Sequence, residues 1–223
     1  MSTLYCVPGL GTDERIFSKL FPLLEAYEKV VLHHIEPLHY KESLADYASR
    51  LAQQIPVSKQ EPILLLGFSL GGPIVLEIAK HYPQARVLLI STIKQKKEIP
   101  PVFKLARKLP LHRLVPTWYT HHIIPRLAPL TGVAKKENSA VLGAMFKAQP
   151  ASHFAWGRQA IVDWENEVVP AQVWHINGDK DHIFNSALPH VDHIIKGGTH
   201  NMIMDRAEEV AAWLLPILTK IHQ

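Results

Sequence analysis

Ser69 lies at the centre of Gly67-Phe68-Ser69-Leu70-Gly71, and its surroundings suit a nucleophile. The run Ile63 to Leu66 before it is wholly apolar, as a strand buried on both faces requires. Pro73 to Lys80 after it suits a helix, with proline tolerated in the first turn. A strand that turns straight into a helix leaves almost no room for side chains two residues either side of the turn. Gly67 and Gly71 supply that room. The turn residue, Ser69, is then held in a strained backbone conformation, its hydroxyl projecting from the top of the sheet. The amide of Leu70 opens the helix and can point at a developing negative charge. A bare G-x-S-x-G recurs by chance; the flanking strand and helix make this one a nucleophile elbow.

A serine hydroxyl needs a base to take its proton, and the base needs an acid to orient it. The C-terminal third supplies candidates for both. Val173-Trp174-His175-Ile176 reads as a strand, followed by Asn177-Gly178-Asp179-Lys180-Asp181-His182. His193 to Lys196 reads as another, followed by Gly197-Gly198-Thr199-His200. Of the 14 histidines, His200 alone lies just past the last strand and before the last helix. His182 abuts Asp181, too close along the chain to be its obvious partner across a cleft. Asp179, Asp181 and His182 are also metal-ligand types, but clustered His and Asp in a loop more often ligate nothing.

With those motifs in view, the chain resembles an α/β-hydrolase over nearly its whole length, apart from a middle insertion. The resemblance implies the order Ser, acid, His. It maps the acid onto Asp181 in a G-x-x-D loop that starts at Gly178, with Asp179 as the rival, and the base onto His200. It also makes Val7-Pro8-Gly9-Leu10-Gly11 the oxyanion loop, with the backbone amides of Leu10 and Leu70 as donors. Many relatives carry His-Gly where this chain has Pro8-Gly9; because the donors are backbone groups, the hole is expected to survive. The activity implied is that of a serine hydrolase, foremost a carboxylic-ester hydrolase working through an acyl-enzyme, with a small-molecule ester or thioester as substrate. The same constellation serves thioesterases, C–C bond hydrolases and lyases, and a non-catalytic ligand-binding protein could retain it. None of this chemistry calls for a cofactor or a metal.

The elements that must position these residues alternate between strand and helix. Strands are expected at about 3–7, 30–35, 62–66, 86–91, 172–176 and 192–196, the second containing His33 and His34. The alternation argues for an α/β fold, a minimal, mostly parallel sheet of about six strands flanked by helices. Thr12 or Asp13 can cap a helix carrying Ile16, Phe17 and Leu20. Ser43-Leu44-Ala45-Asp46 resembles a capping box, with Leu44, Tyr47, Ala48, Leu51, Ala52 and Ile55 at helical spacing after it. Asp205, with Glu208 three residues on, is the expected N-cap of the last helix.

With 223 residues, 47% of them hydrophobic and 20% charged, the chain fits one soluble α/β-hydrolase domain, 1–223. No apolar run approaches the length needed to span a bilayer, and the first residues show no signal-peptide pattern. Cys6, the only cysteine, reads as a small core residue. The expected location is the reducing cytoplasm.

The gap between the fourth and fifth strands is too long for a plain crossover. Residues 1–95 and 151–223 form the expected core, and about 96–150 a helical cap, with helices near 101–109, 117–127 and 135–148. His153 to Trp164 is the expected crossover helix. Phe68, Trp118, Tyr119, Met145, Phe146 and Trp156 are candidates to line a substrate pocket, although aromatic residues in a cap mostly form its own core. Residues 94–113 hold Lys94, Lys96, Lys97, Lys104, Arg107, Lys108 and Arg113 against Glu98 alone, in a chain of formal net charge +4. A solvated helix face explains this; so does a patch that draws an anionic substrate or an acidic carrier such as acyl carrier protein or coenzyme A. Nucleic acid is a poor partner, because no recognition fold accompanies the patch.

Overall fold

The apolar strand at Leu64–Phe68 (β3) is the centre of a six-stranded sheet, as its residues require. The computed structural model describes residues 3–58, 61–108, 123, 126 and 135–221. Its strands are β1 (Thr3–Val7), β2 (Glu28–Val31), β3, β4 (Arg86–Ile90), β5 (Val173–Gly178) and β6 (His193–Ile195). Their order is β2-β1-β3-β4-β5-β6. All five pairings are parallel. Every strand therefore ends at the same edge, where open α/β sheets place their sites.

Alternate residues of each strand feed two cores. Tyr5, Val7, Leu65, Val87 and Leu89 face one side, against α1 (Leu44–Leu51), α2 (Gly71–Ala79) and α5 (Ala151–Asp163). Leu4, Cys6, Leu66, Phe68, Leu88 and Ile90 face the other. There they meet Ile16, Phe17 and Leu20, α4 (Ser139–Ala148), α6 (Met202–Asp205) and α7 (Ala207–Ile221). Two buried faces explain why the strands read as continuous apolar runs. Cys6 is wholly buried, and burial drives its thiol pKa far up.

Local signals set several boundaries. The Ser43 hydroxyl caps α1 by accepting from the Asp46 amide and donates to the Asp46 carboxylate. Asp13 caps only a 3-10 turn, Glu14–Phe17, where a fuller helix was expected. Strand β2 is displaced toward the N-terminus from 30–35. After Leu32 donates to the Cys6 carbonyl the chain leaves the sheet, so His33 and His34 lie beyond the strand. The end of the chain also differs. Asp205 ends α6 and does not cap α7; its carboxylate accepts from the Lys135 amide (2.8 Å), the Asn138 side chain (2.5 Å) and the Thr199 hydroxyl (2.6 Å).

Within the insertion, helix α3 (Pro101–Lys108) and α4 lie where two of the three expected helices should, and α5 stands for the crossover helix. The middle one, near 117–127, falls outside the described residues but for Ile123 and Arg126. Leu142, Met145 and Phe146 of α4 join the same apolar cluster as Phe17 and Leu20, so α4 shares the core of the sheet. Among the described residues, no helix is long and apolar enough to cross a membrane.

Candidate active site

Three chain segments converge at the C-terminal edge of the sheet. The first is the turn between β3 and α2. Ser69 has φ +53°, a conformation that costs a non-glycine residue about 1–3 kcal/mol. Bonds from the end of β4, with one from the first turn of α2, hold it there. The Ser69 amide donates to the Ile90 carbonyl, and the Ser69 carbonyl accepts from Gly72 N–H and from the Thr92 hydroxyl at 2.6 Å. Gly67 and Gly71 are needed as expected: a Cβ on Gly67 would meet the Gly71 backbone, and one on Gly71 would strike the Val7 carbonyl of β1.

The other two segments follow β5 and β6. His200 bridges them to the serine: its Nε2 lies 2.9 Å from Ser69 Oγ, and its Nδ1 lies 2.9 Å from Asp181 Oδ2. A carboxylate can only accept, so Nδ1 carries the hydrogen and Nε2 is free to take the serine proton. Asp181 is 1% exposed and His200 6%. Burial opposes the Asp181 charge, but His200 and the amides of Ile183 and Phe184, which donate to Oδ1, outweigh it and hold the carboxyl pKa below its usual value. The rival Asp179 is exposed and turns away, its carboxylate accepting from Gly197 N–H. Phe68 packs beneath the imidazole, ring centroids 5.4 Å apart, and Phe184 flanks it at 5.6 Å.

The loop after β1 closes the fourth side. Gly9 lies against the elbow: a Cβ there would fall 2.8 Å from the Ser69 Cβ. The Gly9 carbonyl accepts twice from Thr12, from the amide at 3.1 Å and from the hydroxyl at 2.9 Å. Because a trans peptide points its N–H opposite to its C=O, these bonds set the direction of the Leu10 N–H. Helix α5 covers this loop. A Cβ on Gly157 would fall 2.5 Å from one Leu10 methyl and 3.1 Å from a Leu70 methyl, so the side chains of the two expected oxyanion residues meet under α5.

Two of the four described pocket candidates, Trp156 and Met145, settle elsewhere. Trp156 is fully buried, stacks on Tyr47 with centroids 4.0 Å apart, and donates to the Glu42 carbonyl. It fastens α5 to α1 and does not line a cleft. Met145 has no exposed surface and belongs to the core. Phe146 packs on Phe154 beside Gly11. Trp118 and Tyr119 lie outside the described residues. In the basic segment, Lys96 and Arg107 both pair with Glu165, and Lys94 donates to the His190 carbonyl.

Thr92, His175 and Asn177 were not singled out by their sequence positions as a support. His175 Nε2–H donates to the Thr92 carbonyl at 3.1 Å, and the Asn177 side chain accepts from the Thr92 amide at 3.1 Å. Burial holds the His175 pKa down at about 3, so its ring is neutral. Their signal is available only through strand order: β4 ends beside β3 and β5 beside β4, so residues just past β4 touch the elbow.

The site is thus a buried imidazole held between a serine hydroxyl and a carboxylate at the C-terminal edge of a parallel sheet. The chain belongs to the alpha/beta hydrolase family, whose profile matches residues 4–213. Its fold is similar to that of a thermophilic esterase from Thermogutta terrifontis solved with malate bound (TM-score 0.72, 17% identity, 100% of this chain and 91% of that one). It is also similar to a structure from a study of carboxylesterases of Nitrososphaera gargenis (TM-score 0.72, 16% identity, 99% and 91%). A meta-cleavage product hydrolase from Pseudomonas fluorescens IP01 shares the fold as well (TM-score 0.71, 13% identity, 99% and 92%). In sequence, an uncharacterized protein of Mycobacterium tuberculosis is 24% identical over 193 residues, 73% of this chain. The chain spans 55% of the length of that relative.

Proposed function

We propose that this chain is a serine hydrolase of carboxylic esters, working through an acyl-enzyme on Ser69. The observation that carries the reading is His200 held at 2.9 Å from both Ser69 Oγ and Asp181 Oδ2. His200 Nε2 takes the hydroxyl proton as Ser69 attacks the ester carbonyl. Asp181 keeps the imidazole in the Nδ1–H tautomer and stabilises its cation. The amides of Leu10 and Leu70 receive the oxyanion. The proton then passes to the leaving alcohol, and water activated by His200 releases the acid. In this reading the insertion of about 96–150 serves as a helical cap over the site. This reading needs nothing from the basic segment, in which Lys96 and Arg107 share Glu165.

The test is hydrolysis of a p-nitrophenyl ester series from acetate to laurate by the wild type and Ser69→Ala. Turnover that disappears in Ser69→Ala is the expected result, and the preferred chain length measures the acyl site. Turnover that survives the substitution would refute the reading. A wild type inert to every ester, yet labelled at Ser69 by a fluorophosphonate, would shift the assignment to a thioester or C–C bond substrate. Absence of labelling would leave a ligand-binding protein.

A further inference from the structure

His34 leaves the sheet just past β2 and reaches back under the loop that carries Leu10. Its Nε2 lies 3.2 Å from the Pro8 carbonyl oxygen, and its Nδ1 lies 3.0 Å from the Tyr47 hydroxyl. The roles follow from the partners. A carbonyl oxygen can only accept, so Nε2 carries the hydrogen and donates to Pro8. Nδ1 is then the acceptor for the Tyr47 O–H, while Ile35 N–H donates to the Tyr47 oxygen at 3.2 Å. His153, from α5, packs its ring on His34 with centroids 4.4 Å apart and brings its Nε2 to 3.5 Å from the same hydroxyl. Withdrawal from solvent holds His34 neutral, with a pKa of about 4, which preserves Nδ1 as an acceptor.

We infer that His34, braced by Tyr47 and His153, is a positioning residue for the oxyanion loop. Pro8 is buried, and among the described residues no donor but His34 reaches its carbonyl. Unpaired, that carbonyl would keep its desolvation cost. It would regain a partner only by rotating the Pro8–Gly9 peptide. That peptide adjoins the Gly9–Leu10 peptide, whose carbonyl Thr12 holds. The loop is thus pinned at two successive carbonyls, by His34 on the Pro8 side and by Thr12 on the Gly9 side. With both in place the Leu10 N–H has one direction, and a donor aimed in advance is what stabilises an oxyanion. An apolar ring at position 34 would fill the same space without fixing the carbonyl. The inference rests on the hydrolase reading for its kinetic consequence and on the loop alone for its structural one.

The experiment compares His34→Phe, which keeps an aromatic ring, with His34→Gln, which keeps a donor. Ester turnover is read together with hydrogen exchange of the amides from Gly9 to Thr12. His34→Phe should lower kcat about tenfold with KM within about twofold of wild type, because a misaimed donor forfeits part of what removing one costs. Loop exchange should quicken by a similar factor, and His34→Gln should restore most of both. Wild-type kcat and exchange in His34→Phe would overturn the inference, and so would a His34→Gln variant as impaired as His34→Phe. If wild-type turnover proves independent of Ser69, the hydrolase reading fails, and the exchange comparison by itself decides the role of His34.

Discussion

Mild acid should unfold this protein, and histidines set the point at which it does. His34, His153 and His175 are held neutral by burial, with pKa values of about 4, about 2 and about 3, against an ordinary value of 6.5. The unfolded chain binds a proton at each of these positions as pH falls through 6.5, whereas the folded chain does not until near pH 4 or below. Stability therefore rises with pH across that window and is lost on acidification. Three protons correspond to a slope of about 4 kcal/mol per pH unit, since one unit on one group is about 1.4 kcal/mol. Between pH 6.5 and pH 5 the loss is about 5 kcal/mol, since each site is only half protonated in the unfolded chain at pH 6.5, and this is comparable with the whole stability of a typical domain. The Asp181 carboxyl pKa is lowered too, so its contribution is lost in the same direction, but only as pH falls below the ordinary carboxylate value. The histidines act first.

Urea unfolding followed by tryptophan fluorescence, at pH values from about 7 down to about 5, reads this slope directly. His153→Phe removes one of the three protons and should reduce the slope by about a third. A slope below one proton per molecule would refute the reasoning. An unchanged slope in His153→Phe would refute it too, because His153 would then not be a buried neutral imidazole.

Three substitutions examine the site itself. Asp181→Asn keeps the shape of the acid but no longer enforces the Nδ1–H tautomer; kcat should fall about 10³- to 10⁴-fold with little change in KM, measured on the best ester of the series. Thr12→Val is nearly isosteric and removes the 2.9 Å hydroxyl bond to the Gly9 carbonyl, so kcat should drop about tenfold while Thr12→Ser stays near wild type; equal activity of the two would show that the hydroxyl does not aim Leu10. Gly157→Ala gains up to about 1 kcal/mol of helix propensity yet places a Cβ 2.5 Å from Leu10, so thermal unfolding should hold steady while kcat/KM falls; loss of stability and activity in parallel would mean that α5 had shifted as a whole.

What could be read from the sequence, and what could not, follows from how far apart along the chain the interacting groups lie. Ser69 announces itself because its strain is local: two glycines, an apolar strand and a helix all fall within about twenty residues. Asp181 and His200 follow because each sits in a short loop directly after a strand, and a parallel sheet delivers every such loop to one edge. The supports have no comparable signature. Thr92 reaches the Ser69 carbonyl only because β4 lies beside β3, and His34 reaches Pro8 only because β2 stops at Val31. Read as a strand to residue 35, the same histidines become two more alternating side chains. Trp156 and Met145 fail as pocket residues for a related reason: apolar side chains of an insertion or of the crossover helix after it have the same composition whether they face a ligand or a core, and here the space beside Tyr47 and Phe17 claimed them. A strained elbow cannot stand on its own local bonds, since the turn that exposes Ser69 is the one its backbone resists. The bonds that offset the strain must come from neighbouring strands. The residues that hold this site in shape are therefore the ones a linear reading passes over.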